Sequence, residues 1–259
     1  MQLSERQNTI LDLLRDKGGV LESGELTDQL HVSVQTIRKD LNELSEYGLV
    51  KRVYGGVTLP VQNKNLSFDN RKVINLAEKE RIGQLIAGFL PEGVSIFLGI
   101  GTTPQQIAQK LIHHPGLTAI TNNLNAALAL CQNPNITTYC VSGRVRNADQ
   151  DIVGEDATAY FRKFQVNYGI CGVGGISEQG ALLDFSPEEA HLTQTLLANC
   201  ESRLLVADHH KFQRSAPVKS GHLRSIDRFF TDRLPEGLRP LCNEMGVEVI
   251  EADAHGENA

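Results

Sequence analysis

Two clusters in this 259-residue chain have the residue types and spacing to engage phosphates. One is Gly99-Ile100-Gly101-Thr102-Thr103-Pro104, set between an apolar run and a segment that reads as a helix from about Gln105. Glycines let the backbone approach an anion closely, and two threonines offer hydroxyl donors. A helix N-terminus adds free N–H groups and a favourable dipole. The segment is neither a Walker loop nor a dinucleotide fingerprint, and read alone it serves equally as a plain strand-to-helix turn. The other cluster is Ser33-Val34-Gln35-Thr36-Ile37-Arg38-Lys39, where polar and basic side chains crowd the start of a helix. First-turn residues of such a helix reach base edges and phosphates in the major groove of DNA.

The elements around the second cluster are those a DNA reader needs. Ser33 suits a helix cap and Gly48 suits a left-handed helix end. Val34, Ile37, Leu41 and Leu44 recur at three- and four-residue spacing, which predicts a core-facing stripe. Ser4 and Gln7 have capping-box spacing ahead of Ile10, Leu11 and Leu14, so Ser4 to Lys17 reads as a first helix. Ser23 opens a second, containing Leu26 and Leu30, and His31-Val32 forms the turn into the third. Leu49 to Val57 alternates like a two-stranded wing with Gly55 and Gly56 at its turn. Residues 1–59 thus read as a winged helix-turn-helix, the alternative being a small helical domain with a solvated charged face. Ser33, Gln35, Thr36, Arg38, Lys39, Lys51 and Arg52 are the expected contacts to double-stranded DNA. The first sixty residues carry 7 Lys and Arg against 9 Asp and Glu, and Arg38, Lys39, Lys51 and Arg52 form only a modest patch. Four cations bind DNA weakly at physiological salt, which predicts a homo-oligomer, dimer or tetramer, presenting several patches at once.

The remainder is long enough for an independent core. Residues 60–75, opening on the polar stretch Pro60 to Asp69, read as a linker, and 76–259 as a second domain. A helix is expected from Leu76 to Leu90, with Ile82, Leu85, Ile86 and Phe89 inward. Short apolar strands then alternate with helices: Val94–Leu98, Ala119–Thr121, Thr137–Val141, Tyr168–Val173, Leu204–Ala207, Phe229–Thr231 and Val247–Ile250. This pattern predicts an α/β domain around a mostly parallel sheet, whose ligands sit beyond the carboxyl ends of the strands. Thr121-Asn122-Asn123, Gly143-Arg144-Val145-Arg146, Gly172-Val173-Gly174-Gly175 and Asp208-His209-His210-Lys211-Phe212 all follow strands. Arginine and lysine beside the glycine-threonine loop suit a phosphorylated, polyhydroxylated ligand, with Asn and Asp gripping hydroxyls. His209-His210 offers no metal site, because adjacent side chains diverge and no further ligands stand at suitable spacing. No metal and no cofactor are expected. The five cysteines are scattered, and neither a bilayer-spanning run nor a signal-peptide pattern occurs, so a cytoplasmic protein with reduced thiols and no membrane partner is expected. The net charge is −6, which by itself says nothing for or against DNA.

Ser33-Val34-Gln35-Thr36-Ile37-Arg38-Lys39-Asp40-Leu41 followed by Gly55-Gly56 resembles the signature of DeoR-type bacterial transcriptional repressors. The resemblance continues through Gly101-Thr102-Thr103, Thr121-Asn122, the Gly143 turn, Gly154 and Asp208 to Phe212, and so covers nearly the whole chain. Ile100 to Pro104, Thr121 to Asn125 and Leu182-Leu183-Asp184-Phe185 are most similar to the glycerol-3-phosphate repressor branch. Ala181 to Ala190 and Leu204 to Lys211 are also similar to a branch answering to other sugar derivatives, the regulators of sulfoquinovose catabolism. The resemblance implies a sensor domain related to ribose-5-phosphate isomerase and coenzyme A transferase folds. It also implies repression of a carbohydrate or polyol catabolic operon, relieved when a phosphorylated sugar intermediate binds, glycerol 3-phosphate first among them. By matching position, Gly101, Thr102 and Thr103 would hold phosphate, while Asn122, Glu189, Asp208 and Lys211 would line the rest, and Arg146 is counted with them. Two departures stand out: Gly99 where many relatives carry an acidic residue, and Gln194 where several have lysine.

The rival reading is an isomerase-like enzyme carrying a DNA-binding domain. Proton transfer between adjacent carbons needs a poised carboxylate, with Asp184, Glu188, Glu189 and Asp208 as candidates. The fourth strand, however, ends in Gly172-Val173-Gly174-Gly175, where related isomerases have an Asp-rich turn. The sequence therefore reads as a regulator without catalytic activity.

Overall fold

In a computed structural model, residues 3–17, 19–59, 65–212 and 214–252 are described. The chain divides into two units, Met1–Leu76 and Ala77–Ala259.

The first unit is built from α1 (Glu5–Asp16), β1 (Val20–Glu22), α2 (Ser23–Leu30), α3 (Val34–Glu46), β2 (Lys51–Val53), β3 (Gly56–Thr58) and α4 (Phe68–Val73). Ser4 and Gln7 make the expected reciprocal cap at the start of α1, with Gln7 N donating to Ser4 Oγ at 3.2 Å and Ser4 N to Gln7 Oε1 at 3.0 Å. Ile10, Leu11 and Leu14 of α1 close a core with Leu26, Ile37, Leu41, Leu44 and Val57. The wing strands β2 and β3 pair antiparallel, and β3 also pairs with β1. That third strand escapes sequence reading because it is three residues long and borders a helix. Gly56 is required there: a Cβ would sit 2.3 Å from the Leu21 carbonyl of β1. The residues read as linker are partly structured. Residues 60–64 lie outside the described residues, but α4 is helical, and Leu66, Val73 and Ile74 pack on the core of the first unit.

The second unit opens with α5 (Leu76–Phe89), which buries Ile82 and Ile86. There follow β4 (Ser95–Leu98), α6 (Thr102–Lys110), β5 (Leu117–Thr121), α7 (Leu124–Leu130) and β6 (Ile136–Cys140). A hairpin of β7 (Arg144–Arg146) and β8 (Asp151–Val153) leads to α8 (Glu155–Phe161) and β9 (Val166–Cys171). Next come β10 (Gly175–Ile176), β11 (Ala181–Asp184), α9 (Pro187–Ala198), β12 (Cys200–Val206) and β13 (Val218–His222). The described chain closes with β14 (Arg228–Thr231), α10 (Arg239–Met245) and β15 (Glu248–Glu251).

The seven strands expected from the sequence are the seven of one sheet, ordered β15-β14-β12-β9-β4-β5-β6. Every pairing in it is parallel. Successive side chains enter opposite clusters: Phe97, Leu205 and Phe229 on one face, and Ile96, Leu98, Leu204, Val206 and Phe230 on the other. Burial on both faces explains why the central strands β4, β12 and β14 read as apolar runs. A second, antiparallel sheet, β10-β11-β13, flanks the first.

Candidate functional site

The helix expected to read DNA is capped as its sequence dictates. Ser33 Oγ accepts from Thr36 N at 3.2 Å and also lies 2.9 Å from the Thr36 hydroxyl. Gly48, at φ +65°, ends the helix, with Leu49 N donating to Leu44 O at 2.9 Å. Ile37, Leu41 and Leu44 are buried. Val34 is not: at 47% exposure it stands at the helix start, beyond the reach of the core, beside the exposed Ser33 and Gln35. Gln35, Arg38 and Lys39 are exposed, and Arg38 has no bonded partner among the described residues. Lys39 lies 3.9 Å from Glu43. Arg52 hydrogen-bonds Asn42 on α3, tying wing to helix, while Lys51 stays exposed. Behind the helix, Arg6 of α1 grips the buried Asp40 through both oxygens, at 2.5 and 3.2 Å. That hydrogen bond raises the Arg6 pKa. Gln7 Nε2 donates to Glu43 at 2.6 Å.

In the second unit, parallel pairing puts the carboxyl ends of β5, β4, β9 and β12 at one end of the sheet. After β4 the chain turns through Gly101 at φ +110°, which caps α6. The helix begins at Thr102 rather than near Gln105, so both threonines belong to its first turn, and both are buried. After β5, Thr121 Oγ1 donates to Leu98 O at 2.6 Å and accepts from Asn123 N at 3.0 Å. Asn123, which sequence reading passed over in favour of its neighbour, joins the two loops. Its Nδ2 donates to Gly101 O at 3.0 Å, and its Oδ1 caps α7 by accepting from Ala126 N at 3.2 Å. The signal was present, since Asn directly before an apolar helix is a cap. Asn122 is buried and donates to Ile152 O at 3.0 Å, holding β8. The loop after β9 adjoins the α6 turn, where a Cβ on Gly172 would lie 3.4 Å from Pro104. A side chain at Gly99 would start 3.2 Å from Ile170 O and 3.7 Å from Leu196. An acidic group there would thus begin against backbone and an apolar helix face.

Arg146 and Glu189 meet. Arg146 Nη1 lies 2.8 Å from Glu189 Oε1 and 3.6 Å from Asp149, and its Nε donates to Asp151 at 2.8 Å. Burial disfavours the arginine's charge, yet the hydrogen bond and the three carboxylates raise its pKa. For Asp151 burial dominates and raises the carboxyl, against the pull of Arg146. Glu189 also completes a capping box with Ser186 at the start of α9. Arg144 adds a second bond from the hairpin to that helix, at 2.9 Å from Glu188. Residues 144–146, expected as a turn after the third strand, are instead a strand.

Beyond β12, Asp208 is buried and accepts from His210 N at 3.2 Å, opening a short turn that carries Lys211. His209 Nδ1 lies 2.6 Å from Asp232 and its Nε2 2.8 Å from Arg233. The two imidazoles stack at 3.7 Å rather than diverging. No group of three or more potential metal ligands occurs among the described residues. Asp184, at the end of β11, accepts from Gly174 N at 2.9 Å. Burial pushes its carboxyl up to about 7, reinforced by Glu189 and opposed by Ser220, Gly174 and Lys211. Lys211, Glu189 and Asp184 therefore share one electrostatic neighbourhood.

The second unit thus has a helix that starts at a glycine-threonine turn, buried Asn122, Glu189 and Asp208, and the half-buried Lys211, in a chain whose first unit carries a helix with an exposed polar first turn. No helix among the described residues is long and apolar enough to cross a membrane.

The DeoR-like helix-turn-helix domain family matches residues 6–63, and the DeoR C terminal sensor domain family matches residues 74–233. The glycerol-3-phosphate regulon repressor of Escherichia coli strain K12 is 37% identical over 235 residues, covering 91% of this chain and 93% of that one. The HTH-type transcriptional repressor CsqR of the same organism is 35% identical over 246 residues, covering 95% and 94%. Among solved structures, ribose 5-phosphate isomerase A from Methanocaldococcus jannaschii superposes with a TM-score of 0.40 at 14% identity, over 53% of this chain and 55% of that one. Matched across both units, the chain belongs to the DeoR family and is a DNA-binding transcriptional repressor rather than an enzyme.

Proposed function

We propose that this repressor controls a carbohydrate or polyol catabolic operon and is released from its operator by a phosphorylated sugar or polyol. Glycerol 3-phosphate is the first candidate, in view of the relatives named for that regulon. The single observation that carries this reading is the start of α6: Gly101 in a left-handed turn, Thr102 and Thr103 in the first helical turn, and Asn123 bracing the Gly101 carbonyl. Free N–H groups at such a turn bind phosphate. Asn122, Arg146, Glu189, Asp208 and Lys211 complete the effector site by holding its walls and meeting its hydroxyls. On DNA, Ser33, Gln35, Thr36, Arg38, Lys39, Lys51 and Arg52 form the contact set, presented in at least two copies by a cytoplasmic homo-oligomer.

The effector acts by favouring a sensor arrangement incompatible with paired operator contacts. It shifts that equilibrium only by its difference in affinity between the two arrangements. Fluorescence anisotropy on DNA from upstream of the protein's own gene tests the reading, with glycerol 3-phosphate and a panel of sugar phosphates added to the complex. Specific binding reversed by one of them is expected. A compound that binds the sensor tightly and leaves operator affinity unchanged would overturn it.

A further inference from the structure

The two edges of the seven-stranded sheet are treated differently. At one, β15 reads Glu-Val-Ile-Glu, and both glutamates are engaged, Glu248 with Arg228 and Glu251 with Arg239, each at 2.7 Å. Charge on an edge strand is the usual device that keeps another strand from adding to it. At the other edge, β6 reads Ile-Thr-Thr-Tyr-Cys, with no charge, no proline and no bulge. β6 pairs only with β5 among the described residues. Its Thr137, Tyr139 and Cys140 are exposed, Tyr139 at 40%. Apolar surface continues on both sides. Tyr139 stacks on Phe164 at 5.4 Å, which meets Tyr160 at 5.7 Å. The helix α7 leaves Leu128 66% exposed.

We propose that β6 is the surface through which two copies of this chain associate, by antiparallel pairing of β6 with β6 across a two-fold axis near Thr138. The inference rests on the oligomer in the functional reading above. A second copy is the occupant for two reasons. Of the four expected DNA-contacting cations, Arg52 is bound to Asn42 and Lys39 lies beside Glu43, leaving Arg38 and Lys51 without a bonded partner among the described residues. A single module is thus a weak DNA binder, and pairing doubles its grip. An uncharged strand is also self-complementary under a two-fold axis, since it sets no like charges opposite each other.

The register is testable. With the axis at Thr138, Thr137 of one copy faces Tyr139 of the other. In T137K/Y139K, lysine faces lysine; in T137K/Y139E, lysine faces glutamate at the same two positions. Sedimentation velocity of the full chain at micromolar concentration should show the double-lysine variant at half the wild-type mass, and the lysine–glutamate variant restored to it. Thermal unfolding of each variant shows that the sensor has kept its fold, and because the two variants alter the same sites, a general loss of structure would not be rescued by the second. A double-lysine variant that keeps the wild-type mass overturns the β6 interface and leaves the oligomer standing. A wild-type chain that is monomeric at these concentrations overturns both.

Discussion

Arg146 and Glu189, two residues expected to face a ligand, face each other at 2.8 Å. Asp149 and Asp151 complete a ring of three carboxylates around one largely buried guanidinium. Removing the cation leaves those carboxylates uncompensated, a change that costs about 3–5 kcal/mol when the pair is buried. Arg146→Ala should therefore lower the urea midpoint of the sensor transition sharply. Arg146→Lys, which keeps the charge but loses the two-pronged geometry, should fall between the two. Equal stability of wild type and Arg146→Ala would show that the ring is not structural.

Asp184 gives the sensor a pH dependence whose sign is fixed. Its folded pKa of about 7 lies above the ordinary value of 3.8, so between those values the folded state holds a proton that the unfolded chain has released. Stability then declines as pH rises through this window and levels off above about 7. Glu189 of α9 reinforces the shift; Lys211 and Ser220 oppose it, and the buried thiol of Cys171 lies nearby. Asp232 is shifted downward, with burial opposed by its bonds to His209, so its contribution falls at lower pH. Asp184→Asn should flatten the profile between pH 5 and pH 8 and be more stable than wild type at pH 8, by up to a few kcal/mol. Denaturant titrations across that range measure it, and a wild-type profile that rises with pH would contradict it.

Of the basic residues on the reader helix, Arg38 should matter most, because no group among the described residues competes for it. Arg38→Ala should weaken operator binding at least about tenfold and lower the salt-dependence slope by about one for each phosphate left without its cation. Effector binding to the sensor should be unchanged. Arg52→Ala should also loosen the wing, through the loss of Asn42. Anisotropy at several salt concentrations separates the effects: an unchanged slope for Arg38→Ala would remove that residue from the phosphate-binding set.

Asn123 holds two structures with one amide. Asn123→Ala loses the α7 cap, worth about 1 kcal/mol, and leaves the Gly101 carbonyl with only its helical bond from Gln105 N. Effector affinity should fall more than stability does, whereas Asn123→Asp should restore the cap without the Gly101 bond. Calorimetric titration alongside thermal unfolding distinguishes the two losses.

Much of this was legible beforehand because it is local. The Ser4–Gln7 and Ser33 caps, the Gly48 stop and the seven strands of the parallel sheet are written in short-range spacing and composition. Residues 144–146, β10, β11 and β13 were not read as strands, since they are two to five residues long, and their partners lie up to some 40 positions away. Val34 obeys the apolar spacing but sits one turn too early for the core to reach. The α4 helix follows a polar stretch with no sustained period, and its role comes from packing on the first unit. Arg146 and Glu189 were named without their bond, because spacing cannot say which charges meet across 43 residues.

The clamp between Arg6 and Asp40, with Gln7 on Glu43 one turn further along, has a mechanical meaning. The reader helix is bolted to its neighbour at two successive turns, over a shared apolar seam. A tool so braced does not change its shape to lose its grip. Under the proposed release by an effector, the hold on DNA would then be lost by moving a module whose own shape stays fixed.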